Sequence, residues 1–133
     1  MGLLNEKVAF VTAAGGGIAG AIARRFGAEG CTVICVDIDE NTVSKTVSDI
    51  VETGGKAVAK ICNVAIQEEV KTSIDSTASE FGRLDVVVNA AATSEPLHTV
   101  ESMPLDVWQN VLEVNLTGMF LVAKHAIPHM KET

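Results

Sequence analysis

The sequence contains no tyrosine, and its aromatic residues are four phenylalanines and one tryptophan in a chain of 133. Without tyrosine, no phenol is present to serve as a general acid or base. Basic residues are also scarce: ten lysines and arginines stand against seventeen acids, for a formal charge of −7. Nucleic acid and anionic membranes require a basic face, and none is visible, so neither is an expected partner. The three cysteines, Cys31, Cys35 and Cys62, are odd in number, fall in predicted strands and form no C-x-x-C pair. That pattern argues against a disulfide framework or a cysteine metal site and fits buried, reduced thiols in a cytoplasmic protein. No apolar run is long enough to span a bilayer. The leading Met1-Gly-Leu-Leu-Asn-Glu6 lacks the parts of a signal sequence, and Glu6 stands where a myristoylation signal has Ser or Thr. Nor is there a linker, a low-complexity segment or a second domain. The length predicts one domain, large enough for one packed core.

What is present is organised around Lys7 to Asp37. Lys7-Val-Ala-Phe-Val-Thr12 is a short β-rich run that stops at Ala13-Ala-Gly-Gly-Gly-Ile-Ala-Gly20. A helix is predicted next, with Ile18, Ala21, Ile22 and Phe26 on its apolar face and Gly27 and Gly30 at its end. Cys31-Thr-Val-Ile-Cys-Val36 then reads as a parallel strand covered on both faces, and it ends in Asp37, 20 residues after Gly17. In a dinucleotide-binding βαβ unit, the glycines Gly15, Gly16 and Gly17 let the backbone approach a pyrophosphate. The N-terminus of the following helix attracts the negative charge, and an acid at the tip of the second strand accepts hydrogen bonds from the adenosine ribose. Asp37 also repels a 2′-phosphate, so the expected cofactor is NAD. The competing reading is a tight βα loop followed by a solvated strand end. The literal Gly15-x-Gly17-x-x-Gly20 begins later after the strand than the common fingerprint.

Three more repeats follow. Asn41 to Thr53 is an amphipathic helix, Lys56 to Cys62 a strand, Gln67 to Phe81 a helix stopped by Gly82, and Leu84 to Asn89 a buried strand. A loop from Ala90 to about Pro104 precedes a last helix from Leu105 to around Ala126, before Pro128. The pattern predicts an α/β fold, a Rossmann-type doubly wound parallel sheet of strand order 3-2-1-4, with a cofactor at the carboxyl ends of the strands.

The residues at those ends, Thr12-Ala-Ala-Gly-Gly-Gly17-Ile-Ala19, Asp37, Asn63-Val64, Asn89-Ala-Ala-Ala92 and Val114-Asn115-Leu-Thr-Gly118, together resemble the short-chain dehydrogenase/reductase family over essentially the whole chain. The resemblance implies that Gly17 and Ile18 face the pyrophosphate, Asp37 the adenosine ribose and Asn63 with Val64 the adenine. It places Asn89, Ala90 and Ala91 at the cofactor's middle and has Asn115 hold a proton-relay water beside the active site. It implies hydride transfer between nicotinamide and an alcohol or ketone, by a Tyr, a Lys and a Ser. No tyrosine is here, and Thr133 falls before the segment that carries those residues in the family, so residues 1–133 are expected to be the NAD(P)-binding part alone. Glycine is usual in the family at the positions of Ala13 and Ala19, and Asn-Asn-Ala-Gly where this chain has Asn89-Ala-Ala-Ala92. Ala13 is expected to be strained if its turn needs a positive φ, and Ala90 to loosen the fourth strand.

The other candidates carry less. His98, His125 and His129 read as surface residues and not as metal ligands, because no acidic or Cys partner is nearby. Arg24 and Arg25 lie too far into the first helix to meet a phosphate, Ser73, Ser76 and Ser79 have no base in view, and Trp108 and Phe120 read as core or interface residues. The leading function is an NAD-dependent oxidoreductase represented by its cofactor-binding half. Its competitor is a noncatalytic nucleotide-binding or assembly module, with a homo-oligomer as a possible form. A methyltransferase shares the glycine turn and the acid but is disfavoured by Asn89-Ala-Ala-Ala92 and Asn115.

Overall fold

The computed structural model describes residues 2–133. Strands β1 (Val8–Thr12), β2 (Thr32–Asp37), β3 (Lys56–Ile61) and β4 (Val86–Val88) alternate with helices α1 (Gly17–Ala28), α2 (Glu40–Glu52) and α3 (Gln67–Phe81). Helices α4 (Leu105–Leu112) and α5 (Gly118–Met130) follow, joined by a π-helical turn, Glu113–Thr117. All strand pairs are parallel, in the order β3-β2-β1-β4 that the sequence predicts. The winding reverses between β1 and β4, so the crevice beyond their carboxyl ends is the natural ligand position.

Alternation along the buried strands divides the core in two. Val8, Phe10, Ile34 and Val36 pack with Val70 and Ile74 of α3 and Leu121 and Val122 of α5. On the opposite face Ala9, Val11, Val33 and Cys35 pack with Ala19 and Ala23 of α1 and Val43 and Ile50 of α2. The buried face of α1 therefore differs from the expected one: it is Ala19, Gly20, Ala23 and Gly27, while Ile18 is 81% exposed and Ala21 faces solvent. Close approach selects the small residues, since a Cβ on Gly27 would lie 2.6 Å from Cγ2 of Ile50.

Two other boundaries move. β4 is three residues long instead of six, although Asp85 N–H still donates to Val8 O at 2.9 Å just before it. The last helix is divided by the π turn and then runs through Pro128 to Met130. A proline so near the helix end removes little of the hydrogen-bond ladder. His129 also departs from a purely surface role, because its Nε2 lies 2.8 Å from Oδ1 of Asp75 and links α5 to α3. All three cysteines are buried and free, and burial pushes the Cys35 thiol up to about 12. Among the described residues no helix is long and apolar enough to cross a membrane.

At the end of the sheet away from the ligand crevice, Asp85 ties β4 to β1. Arg83 grips its carboxylate with Nε at 2.7 Å and Nη2 at 2.6 Å, Val8 N–H donates to it at 2.9 Å, and Lys7 Nζ lies 3.2 Å away. The Arg83 fork, aided by Val8 and Lys7, outweighs burial and holds the Asp85 pKa at about 2. A depressed carboxylate stabilises the fold above its unfolded pKa, and that contribution disappears as pH falls from about 4 through 2. The expected loss is about 2 kcal/mol over that window. Acid-unfolding curves of the native chain and Asp85→Asn check it: the variant is less stable at neutral pH and has a flatter dependence below pH 4.

Candidate functional site: a groove at the carboxyl ends of the strands

The crevice begins where β1 ends. Ala13 takes a left-handed φ of +54°, which costs a residue with a Cβ about 1–2 kcal/mol. The strain that the sequence made conditional on this turn is therefore present. Ala14 N–H donates to Val36 O at 3.0 Å, and Thr46 Oγ1 of α2 donates to Ala14 O at 2.9 Å, so the turn is held from both sides. α1 then starts at Gly17 with no side-chain cap and no acid in its first turn. Gly20 N–H is the first to find a helical acceptor, Gly16 O at 2.9 Å. The N–H groups of Gly17, Ile18 and Ala19 have no acceptor among the described residues, and a helix start of this kind is suited to an anion.

Asp37 closes β2 beside this loop. Its Oδ2 accepts from Gly15 N–H at 3.0 Å and its Oδ1 from Asp39 N–H at 3.1 Å. Gly15 has to be glycine here, since a Cβ would stand 2.2 Å from Oγ1 of Thr42 and 3.0 Å from Oδ2 of Asp37. Asp39 in turn caps α2, accepting from Asn41 N–H at 2.9 Å. The acid is thus fixed by backbone donors on both oxygens, each of which keeps a lone pair for a hydroxyl.

β3 ends in a rigid turn. Asn63 N–H donates to Oε2 of Glu69 at 2.7 Å, Ala65 N–H donates to Oδ1 of Asn63 at 3.0 Å, and Ile66 N–H donates to Asn63 O at 3.0 Å. At β4 the organising group is Thr12, fully buried: its Oγ1 donates to Val88 O at 3.2 Å and accepts from Ala90 N–H at 2.9 Å and Ala91 N–H at 3.1 Å. The loosening expected from Ala90 is countered by this one hydroxyl, which satisfies the backbone directly. Asn115, in the π turn, meets Thr93 reciprocally, with Thr93 N–H on its Oδ1 at 2.7 Å and its Nδ2 on Thr93 O at 3.0 Å.

Together these elements form a groove of about 290 Å³ lined by Ala13, Asp37, Ile38, Asn63, Val64, Ala91, Ala92, Thr93, Asn110 and Val114. Of the expected site residues, Asp37, Asn63, Val64 and Ala91 share this groove. Gly15, Gly16 and Gly17 line an adjoining hollow with Arg24 and Lys45, and Gly15 connects the two through Asp37. Three others stand outside. Asn89 turns its Nδ2 to Met119 O of α5 at 3.3 Å, Ala90 packs into the core beside β1, and Asn115 acts on the loop wall through Thr93. Ile18 is exposed beside the free amides of the helix start.

Sequence reasoning did not assign roles to Thr12, Thr46, Thr93 and Asn110. Only Thr12 carried a signal, its place at the strand end before the glycine turn; the others find partners 15 to 32 residues away, Asn110 at Glu95, Thr93 at Asn115 and Thr46 at Ala14. Among the described residues no cluster of His, Cys, Asp and Glu is arranged to hold a metal.

The short chain dehydrogenase family model matches residues 7–133. The chain is 39% identical over 132 residues to glucose 1-dehydrogenase 2 of Bacillus subtilis, covering 96% of this chain and 50% of that protein. A short chain dehydrogenase of Mycobacterium smegmatis superposes with a TM-score of 0.92 at 35% identity, covering all of this chain and 56% of the other. Carveol dehydrogenase of Mycobacterium avium, solved in complex with NAD, superposes with a TM-score of 0.94 at 26% identity, over 99% of this chain and 52% of the other. The chain thus spans about half the length of the relatives it matches. With the parallel 3-2-1-4 sheet and the match running from Lys7 to the last residue, the chain belongs to the short chain dehydrogenase family.

Proposed function

We propose that residues 1–133 form the cofactor-binding unit of an NAD-dependent oxidoreductase that moves hydride between nicotinamide and an alcohol or ketone. The observation that carries this is the Asp37 carboxylate, fixed by Gly15 N–H at 3.0 Å, between the free amides of α1 and the groove walled by Asn63, Val64 and Ala91. The residues suit the group: donors face where phosphates would lie, and an acceptor pair faces where ribose hydroxyls would lie. When bound, NAD supplies the hydride chemistry. The chain supplies Gly17, Ile18 and Ala19 amides to the pyrophosphate, Asp37 to the adenosine ribose, and Asn63 and Val64 to the base. Asn115 positions the Thr93 loop. With no tyrosine in the sequence, the 133 residues bind the cofactor without turning it over.

Calorimetric titration tests this. NAD binds more tightly than NADP, and Asp37→Ala weakens NAD about tenfold while narrowing the difference between the two. Equal affinities in the native chain, or an Asp37→Ala variant that binds both unchanged, would remove Asp37 from the site.

A second reading, an assembly module, is favoured by one observation. Leu105, Trp108, Leu112, Leu116 and Phe120 form an exposed apolar stripe along α4 and α5, with Trp108 54% and Phe120 59% exposed, so neither aromatic is a core residue. Such a stripe is a surface for association, including with a second copy. Light scattering at rising concentration distinguishes the cases: a monomer throughout counts against assembly.

A further inference from the structure

The glycine turn owes its shape to a residue outside it. Ala13 sits at a φ of +54°, a conformation that its Cβ disfavours, so the turn persists only where its surroundings hold it. The hold is on Ala14. This residue is fully buried, its N–H donates to Val36 O at 3.0 Å, and its O accepts from Thr46 Oγ1 of α2 at 2.9 Å. No other donor meets Ala14 O among the described residues. A threonine within a helix commonly turns its hydroxyl to the carbonyl four residues back, but here Thr42 O is 3.4 Å away and Ala14 O is nearer. Thr46 is itself only 3% exposed, so water does not take its place without rearrangement. Between Ala14 and the start of α1 stand only Gly15, whose N–H is on Asp37 Oδ2 at 3.0 Å, and Gly16, whose N–H is on Ala13 O at 2.9 Å. The peptide that Thr46 grips thus sets the position of the free amides of Gly17, Ile18 and Ala19.

We propose that Thr46 is a positioning residue for dinucleotide binding: its hydroxyl locks the strained turn at Ala13 in the shape that presents the α1 amides and the Asp37 carboxylate together. This rests on the cofactor reading above. Thr46→Val keeps the volume of the side chain and leaves Ala14 O buried without a donor. Rotating the Ala14 peptide toward another partner relieves that carbonyl and lets Ala13 leave the left-handed region, and both gains drive the turn the same way. The binding-competent turn then becomes a minor state, and the apparent affinity falls with its population. Strain and hydroxyl are therefore coupled. In Ala13→Gly the positive φ is free of strain, one of the two drives is gone, and loss of the Thr46 hydroxyl matters less.

The test is calorimetric titration with NAD of the native chain, Thr46→Val, Ala13→Gly and the double variant, with Thr46→Ser as the conservative replacement. Circular dichroism and the thermal midpoint report whether each is folded. Thr46→Val is expected to weaken NAD about tenfold in the native background and less than about threefold in the Ala13→Gly background, while Thr46→Ser, which keeps the donor, recovers most of the affinity. The carbon NMR shifts of Ala13, which report the sign of its φ, move out of the left-handed range in Thr46→Val without NAD and return on saturation. An equal loss in both backgrounds, a Thr46→Val chain that binds NAD as the native one does, or Ala13 shifts that do not move overturns the inference and leaves the cofactor reading standing. If Thr46→Val alone does not fold, the double variant carries the test: it folds and binds NAD within about threefold of Ala13→Gly, and a double variant that is unfolded or binds about tenfold more weakly overturns the inference. A native chain that binds no NAD overturns both.

Discussion

Thr12→Val is expected to lower the unfolding free energy by about 3 kcal/mol, a large share of what holds a domain of this size together. The substitution keeps the shape and removes one hydroxyl, but that hydroxyl serves three backbone groups. Val88 O loses a donor, and the N–H groups of Ala90 and Ala91 lose their acceptor. Thr12 is fully buried, so water does not replace it without rearrangement. Each buried group left unpaired costs about 1–3 kcal/mol, and partial relaxation of the exposed loop beyond Ala91 reduces the total. Urea unfolding measures the effect: the midpoint falls with an unchanged slope, as for a loss of stability without a change in the surface exposed. A shift worth under 0.5 kcal/mol would mean that the end of β4 is held by something other than Thr12.

Gly118→Leu is the second large effect, at about 2–3 kcal/mol, because the first residue of α5 is buried against the end of β3. An ideal Cβ on Gly118 stands 2.8 Å from Cγ2 and 3.2 Å from Cβ of Val64, so even a methyl displaces that side chain, and the rest of a leucine has no space. The gain in helix propensity on leaving glycine, about 0.8–1.0 kcal/mol, offsets only part of this. Val64 lines the groove, so the variant also loses NAD affinity, and Gly118→Ala gives an intermediate loss in both thermal midpoint and affinity. A Gly118→Leu chain as stable as the native one would show that the π turn and α5 slide past Val64 freely.

The sheet was legible because each of its signals is local. Four apolar runs separated by helix-period segments dictate parallel strands, and the right-handedness of the short crossovers between them sets the direction of winding. Helix α3 coincides with the predicted Gln67 to Phe81, because Gly82 supplies the left-handed cap that ends it. The apolar face of α1 was read correctly at Phe26, which packs against the core, and misread at Ile18 for a physical reason: close packing against the sheet and Ile50 selects the smallest residues, Ala19, Ala23 and Gly27. The π turn at Glu113–Thr117 leaves no mark in the apolar spacing, and the reach of Thr12 across 76 to 79 residues of sequence lies beyond any periodicity. In the site, the residue types and their order were readable, but orientation was not. Asn89 points at α5 and Asn115 grips a backbone, each through a tertiary hydrogen bond, while Asn63 spends its oxygen on Ala65 N–H in its own turn.

The account stands most directly on the place where a dinucleotide meets the chain, and titration of NAD into the isotope-labelled protein, followed by amide NMR, reads that place residue by residue. The prediction is saturable shifts at Gly17, Ile18 and Ala19, at Asn63 and Val64, and at Ala91, all weakened together in Asp37→Ala. No shift at these amides at about 10 mM NAD, an affinity too weak for a cofactor, or shifts confined to the exposed face of α4 and α5, would contradict the assignment of this groove to the cofactor.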